Sequence, residues 1–308
     1  MILCCGEALI DMVPEMSVSG DSCFAPKVGG AVFNTAVALG RMSSQVALFT
    51  GVSRDFFGNY LKQELENSKV NTEHLSYQNG PTTLAFVHLK NGRATYTFYN
   101  ENAADTTLLP ENSPSAEFQF KAIFFGGISL CTNPTASTML DIMRKRSDHS
   151  VTVLDPNIRP SFISHQESYR NRLNEMIALS DILKVSDEDL NWLVPHHEDI
   201  HTQIQELVGP LKALVLITKG SDGAEAFHKG QKIAQVPSPQ VDVKDTVGAG
   251  DTFNAGFLRS LMQNNALTKQ YCRSPNLSVL NEALAYATKA ASVTVSRKGA
   301  NSPWHSEL

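Results

Sequence analysis

The sequence predicts an α/β protein: a mainly parallel central sheet flanked by helices, with a small group of strands set apart from it. Short apolar runs of strand length alternate with helix-period segments through most of the 308 residues, the pattern of right-handed β–α–β crossovers. Residues 83–89 and 93–99 break this pattern. They are period-2 runs rich in aromatic and branched residues, and Asn91-Gly92 between them signals a hairpin. No linker, internal repeat or low-complexity tract divides the chain, so 1–308 is expected to form one domain.

Composition sets bounds on function. At 42% hydrophobic and 19% charged residues, the chain has the make-up of an ordinary globular protein. A formal net charge of -5 provides no basic field to attract a nucleic-acid backbone. No apolar run approaches the roughly 20 residues that span a membrane, and the opening Met1-Ile2-Leu3-Cys4-Cys5-Gly6-Glu7 lacks the basic-then-apolar order of a secretory signal. Neither nucleic acid nor membrane is therefore expected as a partner. Cys4, Cys5, Cys23, Cys131 and Cys272 are odd in number, scattered and without a Cys-x-x-Cys pair. That argues against a disulfide framework or a zinc site, and for the reducing cytoplasm.

The stretch 241–258 organises the chain. Val241 and Val243 alternate like the end of a strand. Gly248-Ala249-Gly250 leaves room for backbone amides to approach an anion. Phe253, Phe257, Leu258, Leu261 and Met262 then recur at helical spacing. A helix starting here points free amides and its positive end at whatever lies over the glycines, with Asp251 at the mouth as a candidate general base. A tight turn followed by a helix cap describes the same residues, and the local pattern leaves both readings open. The whole run closely resembles the C-terminal signature Asp-Thr-x-Gly-Ala-Gly-Asp of the ribokinase-like (PfkB) family of carbohydrate kinases. That resemblance implies a ribokinase-like fold and a small β-strand lid over the sugar, formed here by about 12–28 and 82–103. It also implies catalytic roles for Asp251 and for the Gly248, Ala249 and Gly250 anion site.

Other segments extend the resemblance. Residues 2–10 read as a buried first strand that leaves Asp11 at a strand end, where ligands collect in open α/β sheets. Gly6-Glu7-Ala8-Leu9-Ile10-Asp11-Met12 resembles the opening of the family's fructokinases, whose corresponding Asp binds the sugar. The pair Gly29-Gly30 suits a backbone that approaches a ligand before entering a helix, with Asn34 in its first turn. This run resembles the family's N-terminal signature and implies sugar contacts for Gly29, Gly30 and Asn34. Ala31 stands where 2-keto-3-deoxygluconate kinases usually carry Asp. In the hairpin, Tyr96, Phe98 and Tyr99 face the sugar, the lid of a second subunit, or the core.

Residues 45–51, 120–125, 151–154, 180–186 and 214–218 read as further strands. Helices are expected over 55–68 and 134–145, from 187 onward, and over 280–295. Asp155-Pro156-Asn157-Ile158-Arg159-Pro160 is a proline-stiffened loop with three polar groups beyond a strand end. It resembles an element of fructokinase-like members and implies sugar contacts for Asp155, Asn157 and Arg159. Arg159 also suits a phosphoryl group or a structural ion pair. Relatives often carry Asn-x-x-Glu where this chain has Ser186 and Asp189. That departure leaves Asp189 an indirect, water-mediated role toward Mg²⁺. Thr218-Lys219-Gly220-Ser221-Asp222-Gly223 resembles the nucleotide loop, and implies nucleotide contacts for Thr218, Lys219, Gly220 and Gly223, together with Lys184, Ser186, Gly248 and Gly250. In relatives the region of Arg297-Lys298-Gly299-Ala300 borders the adenine and a monovalent-cation site. Asp245 is either a ligand of that cation or a loop cap.

The resemblance covers essentially the whole chain and implies ATP-dependent phosphorylation of a sugar primary hydroxyl, with Mg²⁺ and, as a further expectation, K⁺. D-Fructose to fructose 6-phosphate is the expected reaction. The alternatives are 2-keto-3-deoxygluconate or ribose as substrate, and, from another class, a non-catalytic sugar or nucleotide sensor. The intact Asp251 and glycine turn argue against a sensor. A dinucleotide-dependent oxidoreductase fails because no Gly-x-Gly-x-x-Gly follows the first strand. A homodimer clasped through the lids stays open.

Overall fold

The first strand, β1 (Ile2–Cys5), is buried at every position because both of its faces are covered. Ile2 and Cys4 join the core on one side of the sheet, Leu3 and Cys5 the core on the other, as in parallel sheets sandwiched between helices. The computed structural model describes all residues except 91–92, 198 and 209–212. The expected Asn91-Gly92 turn therefore lies outside the described residues.

After β1 come β2 (Leu9–Met16), β3 (Ser22–Gly29), α1 (Ala31–Arg41), β4 (Val46–Phe49), β5 (Gly51–Ser53), α2 (Phe56–Asn67) and β6 (Ser76–Gln78). The middle of the chain forms β7 (Leu84–Lys90), β8 (Arg93–Tyr99), β9 (Ala122–Gly126), α3 (Thr135–Arg146), β10 (Val151–Asp155), α4 (Gln166–Leu179), β11 (Ile182–Ser186) and α5 (Asp187–Leu193). The last third adds α6 (Ile200–Val208), β12 (Leu214–Thr218), β13 (Ala224–His228), β14 (Gln231–Val236), α7 (Ala249–Gln263), α8 (Lys269–Arg273) and α9 (Leu277–Val295).

The central sheet runs β14-β13-β12-β11-β10-β9-β1-β4. All pairs from β4 to β12 are parallel, while β13 and β14 are antiparallel additions at one edge. Phe33 of α1, Phe257 of α7 and Leu284 of α9 fill one core; Met139 of α3, Leu173 of α4 and Ile204 of α6 fill the other. The architecture is thus the expected α/β one. No helix among the described residues is long and apolar enough to cross a membrane.

A second sheet, ordered β3-β2-β7-β8, lies apart from the first. It corrects the reading of 2–10 as one strand. The chain leaves the central sheet after Cys5, and Asp11 lies within β2 of the small sheet rather than beyond a core strand. Residues 12–28 are weakly patterned because these strands are largely solvated, so no apolar alternation marks them. Register places Asp11, Ala85, Val87, Tyr96 and Phe98 on one face, and Phe86 and Tyr99 on the other.

The small sheet is moored by Asp55, the N-cap of α2. Its Oδ1 accepts from Gly58 N at 2.7 Å and from Thr82 Oγ1 at 2.7 Å, and its Oδ2 accepts from Thr82 N at 2.8 Å. Asp55→Ala removes a cap and the tether of the chain entering β7, and should cost about 2 kcal/mol. Denaturant unfolding checks this; a loss under about 0.5 kcal/mol, the scale of an ordinary surface change, would show that the tether carries no stability.

Candidate active site

The turn that opens α7 depends on Gly248, which caps the helix at φ 78°, ψ 2°, a left-handed conformation unfavourable for residues with a Cβ. A Cβ at this position would lie 2.7 Å from Ala300 Cβ. Ala249 N donates to Thr246 O over a long 3.3 Å, which corrects the expectation that the Ala249 amide is open to an anion. Gly250 and Asp251 have no N–H partner among the described residues, so these amides stand open at the positive end of a helix of 15 residues, a geometry that suits an anion.

Asp251 is buried, at 7% exposure. Its Oδ2 accepts from Asn34 Nδ2 at 2.9 Å, across 217 residues of sequence. Burial pushes its carboxyl up to about 7. The Asn34 hydrogen bond opposes this, nearby Asp155 adds to it, Lys184 opposes it, and Glu7 adds again. A carboxylate at that value is poised to accept a proton near neutral pH.

Between the small sheet and α1 runs a cleft of about 840 Å³, lined among others by Asp11, Asn34, Val87, Tyr96, Asp245 and Val247. Asp11 lies where Gly29 makes room, since a Cβ on Gly29 would lie 2.2 Å from Asp11 Oδ2. Burial alone raises the Asp11 carboxyl to about 6. Gly30 is the N-cap of α1 at φ 106°. Burial raises the Tyr96 phenol, with Asp11 and Asp245 adding to this and Arg159 opposing it; exposed Arg159 donates to Ile158 O and is not a lining residue of the cleft. Phe98 stacks on Tyr96 at 5.8 Å and meets Phe162 edge-on at 4.1 Å. Phe98 is a wall of the lid rather than a lining group of the cleft.

Two expected roles change. Asp155 is 2% exposed. Its Oδ2 accepts from Lys184 Nζ at 3.0 Å and Asn254 Nδ2 at 2.6 Å, and its Oδ1 from Asn157 N at 3.2 Å. It therefore offers little to a sugar. Asp189, expected beside Mg²⁺, is consumed by the protein itself. Its Oδ1 accepts from Ile158 N, and its Oδ2 from Ser186 N and Oγ, completing a capping box on α5. Asn157, at φ 43°, turns the chain in the same loop.

Ser186 and Thr218 are register partners at the carboxyl ends of β11 and β12, and Lys219, Gly220 and Gly223 follow in the next turn, where Lys219 N donates to Gly223 O. Asp245 accepts from Val247 N through Oδ1 and from Gly299 N through Oδ2, so it caps its loop. Among the described residues no group of three or more His, Cys, Asp or Glu side chains could hold a metal. Two residues with no expected role prove central. Glu7, 2% exposed, accepts from Ala31 N and Ser129 N, anchoring the start of α1. Asn254 reaches Asp155 from α7, and its one sequence signal is its position three residues after Asp251, on the same helix face.

A model of the pfkB family carbohydrate kinases matches residues 1–307. The chain belongs to this family. It is 44% identical over 274 residues to a fructokinase of Rhizobium leguminosarum bv. trifolii, covering 89% of this chain and 83% of that one. Among solved structures it is similar to fructokinase with bound ATP from Xylella fastidiosa, at TM-score 0.87 and 29% identity, covering 97% of this chain and 93% of that one. It also resembles a double mutant of Vibrio cholerae O395 fructokinase in its fructose, ADP and potassium ion bound form, at TM-score 0.84, 25% identity and the same coverages. A pfkB-family enzyme is a sugar kinase, and the fold is that of the neighbours.

The raised Asp251 carboxyl makes a prediction. A general base works only when ionised, and the protonated fraction of Asp251 grows as pH falls through about 7. Sugar kinase kcat/KM should therefore decline on the acid side with a midpoint near 7. A pH–rate profile whose acid limb centres near the ordinary carboxylate value of about 4 would remove Asp251 from this role.

Proposed function

We propose that this protein transfers the γ-phosphoryl group of ATP to a primary hydroxyl of a free sugar, D-fructose, giving fructose 6-phosphate and ADP. The observation that carries this reading is the buried Asp251 carboxylate, which accepts from Asn34, itself a lining residue of the cleft that Asp11 also lines. Asp11 accepts hydrogen bonds from sugar hydroxyls, and Gly29, Gly30 and Asn34 bring α1 up to the ring. Asp251 takes the proton of the hydroxyl as its oxygen attacks phosphorus, while the Gly250 and Asp251 amides face the charge on the phosphoryl oxygens. The bond from phosphorus to the bridging oxygen breaks and ADP departs. Closing the lid excludes water, which limits wasteful hydrolysis of ATP.

With no cage of carboxylates among the described residues, Mg²⁺ fits as an ion carried by the ATP phosphates and its own waters, where it would offset phosphate charge. The nucleotide groups are Lys184, Ser186, Thr218, Lys219, Gly220 and Gly223. Asp245 has both oxygens engaged by backbone amides and fits a K⁺ site through the loop it shapes. The free thiols of all five cysteines suit the cytoplasm. The lid face opposite Asp11 carries half-exposed Phe24 and exposed Tyr99, each in edge contact with Phe86 at 5.0 and 5.4 Å. That apolar face supports pairing with the lid of a second copy.

Assays of fructose against 2-keto-3-deoxygluconate and ribose test the substrate, the expected result being fructose as the acceptor with the highest kcat/KM. Asp251→Asn keeps size and the Asn34 contact but loses the base, and should lower kcat by roughly 10²- to 10⁴-fold with an unchanged thermal transition. Near-normal turnover in that variant would exclude the mechanism. For the lid, sedimentation should report a dimer, and Tyr99→Asp should yield monomers; a monomeric wild type would sink the pairing.

A further inference from the structure

We infer that Asn254 and Asp155 form a buried clamp that holds the Lys184 ammonium beside the Gly248–Gly250 turn, so that these two side chains position a fixed positive charge for the phosphoryl group in flight. The inference rests on the kinase reading above and adds positioning residues to it. Lys184 in β11 and Asp155 at the end of β10 each lie one residue beyond Leu183 and Leu154, the last positions at which these two strands pair with each other. Lys184 is 5% exposed and Asp155 2% exposed.

Asp155 has no oxygen to spare. Oδ2 receives both Lys184 Nζ and Asn254 Nδ2, and Oδ1 receives a backbone amide. Lys184 is the reverse case. Its ammonium has three donors, and Asp155 is its one hydrogen-bond partner among the described residues. A buried ammonium with unused donors is costly, and a buried ion pair is no stability device by itself, since an apolar pair of similar volume often serves as well. The unused donors sit beside the anion site. A Cβ built on Gly250 would lie 3.3 Å from Lys184 Nζ, so a side chain there would crowd the ammonium. Asn254 follows Asp251 by three residues on α7, so one helix carries both the base and the clamp.

The charged groups facing Lys184 are Asp155, Asp189 and Asp251. Those facing Asp251 are Asp155, Lys184 and Glu7, with the Asn34 amide bonded to it. Lys184 favours the ionised base and Asp155 disfavours it. The two partners of one ion pair therefore move the acid limb of the rate profile in opposite directions.

Three variants test the clamp with ATP and fructose. Asn254→Leu is nearly isosteric and neutral, so it keeps the test open should a charge change unfold the protein. It should lower kcat roughly 10-fold, about a tenth of the smaller effects seen at single transition-state donors, with the fructose KM within about 2-fold of wild type. Lys184→Met should lower kcat by about 10²-fold and shift the acid limb of kcat/KM to higher pH. Asp155→Asn should shift that limb to lower pH. Limbs that stay in place while amplitude falls mean a merely structural pair and overturn the proposal. So does a large rise in fructose KM at unchanged kcat in Asp155→Asn, which would make Asp155 a sugar ligand. Asn254→Leu indistinguishable from an active wild type also overturns it. A wild type that phosphorylates no sugar is a separate outcome, and overturns the kinase reading beneath the proposal.

Discussion

The hydrogen bond from Asn34 Nδ2 to Asp251 Oδ2 ties the first turn of α1 to the first turn of α7, and the site is built around it. Both helices aim their N-termini at one spot, and each contributes the positive end of its dipole. A carboxylate buried there would be prohibitive in an apolar setting; between two helix starts and an amide donor it is tolerable and stays reactive. The same convergence explains the neighbouring bonds. Thr35 Oγ1 donates to Asp251 O, and Thr294 Oγ1 donates to Thr252 Oγ1, fastening α7 to α1 on one side and α9 on the other.

The second constraint is an excess of buried carboxylates. Glu7, Asp155, Asp189 and Asp251 are each nearly inaccessible, and among the described residues Lys184 is the one cation buried to the same degree. Three of the four are quieted by local bonds: Glu7 by the amides of Ala31 and Ser129, Asp189 by Ile158 and Ser186, Asp155 by Lys184 and Asn254. Asp251, with one side-chain donor, is the least satisfied. Burial raises its carboxyl to about 7, the range in which a carboxylate can serve as a base near neutrality.

Much of the fold was legible in the chain because a parallel sheet covered on both faces demands unbroken apolar strands, as in 2–5, 122–126 and 214–218. The lid strands were harder. Solvated on one side or both, residues 12–28 carry no strong alternation, so the bend after Cys5 was invisible and Asp11 was placed on the wrong sheet. The edge pair β13 and β14 turns antiparallel, a register choice that residue types do not declare.

The site divides the same way. Local chemistry belongs to the sequence: a glycine turn before a helix, an aspartate at its mouth, two glycines ahead of a second helix, an asparagine in its first turn. A turn's anion-binding geometry depends on neighbours a few residues apart, so a linear pattern can specify it. Partnership belongs to the tertiary structure alone. Asp155 ends β10, Asp189 and Asp251 lie in the first turns of helices and Asp11 lies in β2, and nothing in their flanking residues tells a ligand from a buried anchor. That distinction is made by which donors the fold delivers, from 99 residues away in the case of Asn254. Hydrogen-bond supply and desolvation are properties of the packed chain, and they decide which carboxylates are satisfied by local donors and which keep a raised proton affinity.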